Sequence, residues 1–288
     1  MNQASPRRAG AEPLVQGEFA FTRADFERVA GLLYAASGIH LVEAKATLVY
    51  SRLAKRLRTL RLASFRAYCD LVESPAGADE RQAFLSALTT NVTRFFREPH
   101  HFEHLSARVL PALARAAAAG ERVRLWSAGC SMGHEPYSMA MTVLEAIPDA
   151  ARLDVKILAS DIDPQVVEKA RRGLYGAGDI EPVPAPLRAR AFSRAGEDRF
   201  EVRPEIRALI SFRTLNLMDA WPMQGRFDVI FCRNVAIYFD DATQARLWTR
   251  FAERLTPEGR LYIGHSERAN ARGLISDGLT VYRLGGGA

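Results

Sequence analysis

Cysteine is scarce in this chain. The 288 residues hold three, Cys69, Cys130 and Cys232, far apart and without a C-x-x-C pair. An odd, scattered set excludes a disulfide framework and fits reduced thiols in a reducing compartment. No apolar run approaches the roughly 18 residues that would span a bilayer. The opening residues, with Pro6, Arg7, Arg8, Gly10 and Pro13, have no apolar core, so they do not read as a secretory signal. Residues 1–18 are expected to be a flexible tail, and the protein is expected in the cytoplasm with no membrane insertion. Internal repeats and long low-complexity stretches are missing too. Charge of one sign is only mildly in excess, a formal +6, which suits an acidic partner without requiring nucleic acid. Metal-ligand spacing is also lacking. His100, His101 and His104 lie close together on an expected helix, but they have no fourth ligand and no C-x-x-C partner. They are expected to be ordinary surface histidines, and no metal is expected.

What is present is a globular composition, 48% hydrophobic and 25% charged. Residues 19–90 read as helical throughout. Thr22 is positioned to cap a helix carrying Phe26, Val29 and Leu33 at helical spacing. Further helices are expected at Glu43–Leu60, Ser64–Glu73 and Asp79–Leu88. After Leu105, apolar strand-like runs alternate with helices. The strands are expected at Val123–Ser127, Val155–Ser160, Ile210–Leu215, Phe227–Cys232 and Arg260–Gly264. The helices between them are expected at Pro136–Ile147, Pro164–Arg172 and Ala242–Leu255. Such alternation implies an α/β fold with a mainly parallel sheet, and these sheets bind ligands beyond the carboxyl ends of their strands. Residues 175–207 break the alternation with four prolines and a short strand-like run. They are expected to form an insertion with a small antiparallel β subdomain.

Three strand ends carry polar groups suited to chemistry. In Leu125 to Pro136 an apolar strand runs into a loop with Gly129 and Gly133, then a helix start. The G-x-x-x-G spacing departs from the G-x-G-x-x-G of dinucleotide sites. One strand later, Asp161 falls at the strand tip, where an acid after a glycine loop can accept both hydroxyls of a ribose. Asp163, just before Pro164, suits a helix cap better. In Asp228 to Phe239 a third strand exits into Arg233 and Asn234, with Tyr238 following. Tyr238 reads equally as a buried aromatic whose hydroxyl is satisfied elsewhere.

Thr89 to Glu98 (TTNVTRFFRE), Gly133 to Ser138 (GHEPYS), Ala159 to Asp163 (ASDID), Phe231 to Val235 (FCRNV) and Gly264 to Glu267 (GHSE) resemble the chemotaxis receptor methyltransferases, the CheR family, in the right order from Phe19 onward. The resemblance implies a class I, Rossmann-like S-adenosylmethionine-dependent methyltransferase domain over residues 91–288, behind a helical substrate-docking domain over residues 19–90. It implies methylation of glutamate carboxylates on chemotaxis receptors, with S-adenosylhomocysteine as the other product. It places Asn91, Thr93, Arg97, Glu135, Asp161, Asn216, Leu217, Asn234 and Val235 around the cofactor, and Arg97 and Tyr238 beside the methyl group. Met132 and His134 depart from the threonine and acid expected next to Glu135.

Methyl transfer to a carboxylate needs no general base, because a glutamate side chain is already ionised at neutral pH. It needs alignment, and Arg97 is suited to hold a carboxylate through a bidentate pair. On the helix around residues 49–60, Val49, Leu53, Leu57 and Leu60 share one face. Arg52, Lys55, Arg56, Arg58 and Arg61 fall away from it. The ordinary meaning of such charge is a solvated face. With the resemblance, these residues suit docking onto the acidic methylation helices of the receptor's cytoplasmic domain. The partner is therefore expected to be a receptor and not nucleic acid, and the enzyme a monomer. The sequence around Asn234 lacks the Pro-Pro-aromatic run of amino-methylating enzymes, which counts against a nucleic-acid methyltransferase. The short connection Phe192 to Phe200, with the single glycine Gly196, leads to the expectation that no C-terminal receptor peptide tethers this enzyme.

Overall fold

A computed structural model describes residues 12–285, which divide into two compact units, one ending at Thr89 and the other starting at Thr90. Residues 1–11 of the expected tail lie outside the described residues. Leu14 and Val15 pair with Phe21, and both pack on the first unit's core.

The first unit is helical: α1 (Arg23–Ser37), α2 (Ala46–Leu60), α3 (Phe65–Glu73) and α4 (Ala78–Leu88). Local sequence explains the boundaries. Thr22 and Asp25 form a reciprocal capping box at the start of α1, and Gly38 ends it in the left-handed conformation at φ 74°. Ser64 caps α3 through the Ala67 amide. The core gathers Phe21, Phe26, Val29, Leu33, Val49, Leu53, Leu57, Phe65, Tyr68 and Phe84. Burying a side chain of this size contributes roughly 1.5–3 kcal/mol.

The second unit begins with α5 (Pro99–His104), a π-helical turn (Leu105–Val109) and α6 (Leu110–Ala118). Then come β1 (Val123–Ala128), α7 (His134–Ala146), β2 (Val155–Asp161) and α8 (Pro164–Arg172). The insertion holds β3 (Leu174–Gly176), α9 (Ala177–Ile180), α10 (Ala185–Ala191), β4 (Phe192–Arg194), β5 (Arg199–Val202) and α11 (Pro204–Arg207). The chain closes with β6 (Ile210–Thr214), β7 (Phe227–Cys232), α12 (Asp241–Arg254), β8 (Leu255–Ile263), β9 (Leu274–Gly278) and β10 (Val281–Leu284).

The seven-stranded sheet runs β6-β2-β1-β7-β8-β10-β9, and the pairs from β6 to β8 are all parallel. β10 is antiparallel to both β8 and β9. This hairpin was not expected, because its strands alternate poorly and most of their residues are half-buried or exposed. β8 starts at Leu255, ahead of the expected Arg260, through an irregularity opposite Phe227 to Val229. The insertion is a three-stranded antiparallel sheet, β3-β5-β4. The parallel order brings the carboxyl ends of β1, β2, β6 and β7 to one edge of the sheet, and that edge carries the site.

Candidate functional site

Each strand that ends at this edge delivers one part of the site. Beyond β1, the Gly129 and Cys130 amides both donate to Ser160 O at 2.8 Å, which folds the loop over the end of β2. Gly129 has φ +87°, and a Cβ there would come within 2.3 Å of Val235 Cγ2, so only glycine permits the loop and the β7 exit to approach. Ser131 donates its amide to Asp161 Oδ2 at 2.8 Å and its hydroxyl to Asn91 O at 3.2 Å. Asp161 Oδ1 accepts from the Asp163 amide at 3.1 Å. Burial raises the Asp161 carboxyl, and the Asp163 and Ser131 amides pull it back down. Asp163 accepts from Gln165 N and caps α8, as its position before Pro164 suggested. From β6, the Leu215 amide bonds Asp161 O at 2.8 Å, which brings Asn216 and Leu217 to the same end.

Glu135, in the first turn of α7, has a side chain 11% exposed. Its Oε1 accepts from Ser127 Oγ at 2.7 Å, and its Oε2 lies 3.3 Å from Arg233 Nη1. Burial raises the Glu135 carboxyl, and Arg233 and then Ser127 lower it. The half-buried Arg97 donates from Nη1 to Val92 O at 3.2 Å. Thr93 is half-buried on the same loop. Asn234 has φ 60°, and Tyr238 is half-buried on the 3-10 turn that follows.

Three charged residues of this edge had no assigned role in the sequence reading. Glu267 is 4% exposed, and its carboxylate accepts four backbone amides, those of Gly264 (2.6 Å), Val235 (2.9 Å), Asn234 (3.0 Å) and Ile237 (3.2 Å). It shapes the loop that carries Asn234, Val235 and Tyr238. Arg233 has a side chain 2% exposed and pairs with Glu98 as well as Glu135. Glu98 bonds His265 Nδ1 at 2.8 Å. Burial works to raise the Glu98 carboxyl, but the His265 bonds and Arg233 outweigh it and hold the carboxyl at about 2. The TTNVTRFFRE, FCRNV and GHSE motifs contained the signal for these residues, yet a buried role is not visible from residue type alone.

The histidines need correction. His101 is fully buried, with Nε2 2.8 Å from Thr280 Oγ1, and burial lowers it to about 3. His104 bonds Tyr262 Oη and is only 18% exposed. Both face β8 and the β9–β10 region, whose covering hairpin was not foreseen. Glu98, His100 and His101 bring three potential ligand atoms within 4.8 Å of one another, but the Arg233 guanidinium is 3.4 Å from Glu98 Oε2 and already supplies a cation there. The departure at His134 is also structural. Its ring is buried edge-on to Phe95 (4.7 Å) and Tyr175 (4.9 Å), and burial lowers it to about 4. The Tyr175 hydroxyl donates to Met132 O, which ties the insertion to the glycine loop.

The docking candidates belong to the helical unit, and two of them are already committed there. Arg52 Nη1 donates to the carbonyls of Ala87, Leu88 and Thr89 and so caps the end of α4. Arg56 forms a two-pronged pair with Glu80, at 3.0 and 2.5 Å. Both side chains are half-buried, so part of each guanidinium is engaged within the helical unit. Arg58 pairs with exposed Glu18, while Lys55 and Arg61 are exposed.

This edge fits a nucleoside sulfonium cofactor. The glycine loop lets the β1 exit pack directly against Val235 at the β7 exit, where a Cβ would clash. Asp161 has both oxygens oriented by amides while keeping lone pairs for hydroxyls, and Glu135 is an acid suited to an amino group. Residues 91–275 match the family described as the CheR methyltransferase SAM-binding domain, and residues 24–89 match its all-alpha domain. A probable chemotaxis protein methyltransferase of Rhizobium etli is 52% identical over 258 residues, covering 88% of this chain and 96% of that one. Chemotaxis protein methyltransferase 2 of Pseudomonas aeruginosa is 48% identical, covering 92% and 94%. The Escherichia coli chemotaxis protein methyltransferase is 42% identical, covering 92% of each chain. The fold, the grouped strand-end residues and these likenesses agree: the chain belongs to the CheR family of chemotaxis methyltransferases.

Proposed function

We propose that the enzyme methylates glutamate side chains on the cytoplasmic domain of chemotaxis receptors, giving glutamate methyl esters and S-adenosylhomocysteine in sensory adaptation. The observation that carries this reading is the gathering of Asn91, Glu135, Asp161, Asn234 and the Arg97 backbone at one sheet edge, where Ser131 bonds both Asn91 O and Asp161 and Arg233 joins the Arg97 carbonyl to Glu135. When bound, S-adenosylmethionine supplies a methyl group on a sulfonium. Asp161 holds the ribose hydroxyls and Glu135 the amino group. Asn91, Thr93, Asn216, Leu217, Asn234 and Val235 complete the enclosure. Arg97 would pair with the substrate carboxylate, and Tyr238, on the turn after Asn234, would lie beside the methyl group. Such orientation is worth on the order of 7–11 kcal/mol. The substrate oxygen is already anionic at neutral pH, so no residue has to remove a proton. In the helical unit, Lys55, Arg58 and Arg61 offer positive charge to acidic receptor helices. The turn between β4 and β5 is short and closed by Arg194 bonds to Gly196 O and Glu197 O, which suits an enzyme that works without a C-terminal receptor tether.

The test is transfer of labelled methyl to receptor or to nucleic acid. Base-labile label on receptor glutamates is expected. Base-stable label, or label on nucleic acid, defeats the reading.

A further inference from the structure

Arg233 is not touched by any step above, yet its side chain joins three segments of the site. Nη2 donates to the carbonyl of Arg97 and lies 3.4 Å from Glu98 Oε2. Nη1 lies 3.3 Å from Glu135 Oε2. The guanidinium carbon sits 5.7 and 5.6 Å from the Phe102 and Phe231 ring centroids, and the side chain is only 2% exposed. The far oxygens are held as well, that of Glu135 by Ser127 and that of Glu98 by His265. One planar cation thus spans the loop before α5, the first turn of α7 and the exit of β7. A lysine, with one point charge, cannot reach all three.

We propose that Arg233 is a positioning residue for methyl transfer: its fork locks the Arg97 backbone to the Glu135 carboxylate and so sets the substrate-facing loop against the cofactor-facing helix end. This rests on the roles given to Arg97 and Glu135 under the proposed function.

The plain alternative is a core ion pair that only stabilises the fold. The geometry argues against it. In the helical unit, Arg56 gives two bonds to one carboxylate, and Tyr68 completes that cluster. Arg233 instead splits its fork between two acids at longer range, and its Nε and Glu98 Oε2 have no hydrogen-bond partner. The backbone it joins is left-handed at Phe96 (φ 50°), Glu98 (57°) and Asn234 (60°). Strained backbone of this kind persists where the surroundings over-determine it. Four charged groups bear on the argument. Glu135 faces Arg233, Glu98 and Glu267, and the two acids push its carboxyl up in the direction that burial does. Without the cation, Glu135 would protonate at higher pH.

The experiment compares wild type, Arg233→Lys and Arg233→Met by thermal melting, by calorimetric binding of S-adenosylmethionine from pH 5 to 8.5, and by receptor methylation at saturating cofactor. Arg233→Lys keeps charge but loses the fork. Its turnover should fall about 100-fold with the receptor Michaelis constant within about threefold, because an alignment effect appears in turnover. The acid limb of its cofactor binding should stay in place. In Arg233→Met that limb should move up by about one pH unit, since the nearby positive charge is lost. A folded Arg233→Lys with wild-type turnover, or a folded Arg233→Met with an unmoved limb, would make Arg233 a core ion pair and overturn the proposal. If both variants unfold, Glu98→Gln decides, because it releases one anchor of the guanidinium. A drop in turnover of at least about tenfold with cofactor affinity held is expected, and wild-type turnover overturns the proposal. Wild type that binds cofactor but leaves receptor unlabelled breaks the substrate reading alone, and the acid limb still decides Arg233.

Discussion

The two units bury the same chemistry, an arginine among carboxylates, to different ends. In the helical unit Glu80 is 7% exposed and receives both prongs of Arg56 and the Tyr68 hydroxyl. In the α/β unit Arg233 is stretched between Glu98 and Glu135 and leaves polar atoms unpaired. Left-handed non-glycine residues follow the same division. Of six among the described residues, Phe96, Glu98, Ser131 and Asn234 lie at the sheet edge, while the helical unit has only Arg61, at a helix end. Satisfied buried charge marks a scaffold. Under-satisfied buried charge on strained backbone marks a site that is held ready for something else.

Mutations in each unit can break this contrast, and the largest effect is expected at Arg97. Arg97→Ala should cut turnover at least 100-fold, equivalent to about 3 kcal/mol, with its melting temperature nearly unchanged. Near-normal turnover with normal Michaelis constants would remove Arg97 from the reacting groups. On the scaffold side, Arg56→Met leaves Glu80 buried beside Tyr68 without its cation. It should destabilise the helical unit by about 2–4 kcal/mol, with cofactor affinity intact. A weakened cofactor affinity in that variant would dissolve the contrast.

Asp161→Ala should weaken S-adenosylmethionine binding about tenfold or more, since charge-assisted hydrogen bonds are worth about 1.5–3 kcal/mol. Unchanged calorimetric affinity in a folded variant would exclude the residue from the site.

A smaller effect concerns acid. Burial lowers His101 to about 3 and His134 to about 4. Each therefore binds more protons unfolded than folded between those values and the ordinary 6.5. Stability should rise with pH through that window and be lost as pH falls below about 6.5, by on the order of 1 kcal/mol per pH unit for each histidine. His134→Phe should flatten the slope in thermal melts of the folded protein. A slope that persists in full would place the titration elsewhere. The smallest effect is expected at the helix surface. Lys55→Glu with Arg61→Glu should raise the receptor Michaelis constant severalfold, more at low salt than at high, because exposed charges are screened over about 10 Å at 0.1 M. Kinetics indifferent to both changes would leave α2 a solvated face.

The sequence by itself determined the order of elements, because each carries its own period and punctuation. Apolar residues three and four apart, the Thr22 and Ser64 caps, and strand runs broken by glycine and proline are local properties. So is the placement of Gly129, Asp161 and Asn234 at strand ends, since a parallel sheet then assembles those ends at one edge. What sits beneath the edge was decided by tertiary structure. Glu267 and Gly264 lie some thirty residues from the Asn234 loop they shape, and Glu98 and Glu135 meet through an arginine far along the chain. An arginine reads as surface charge until its partners are known, because burial depends on contacts between residues distant in sequence. Arg52 and Arg56 show the same from the other unit. Helical spacing set them on the polar side of α2, but the carbonyls at the end of α4 and the Glu80 carboxylate drew them into the structure. Periodicity assigns a residue to a face, and only packing decides whether that face meets water or another helix.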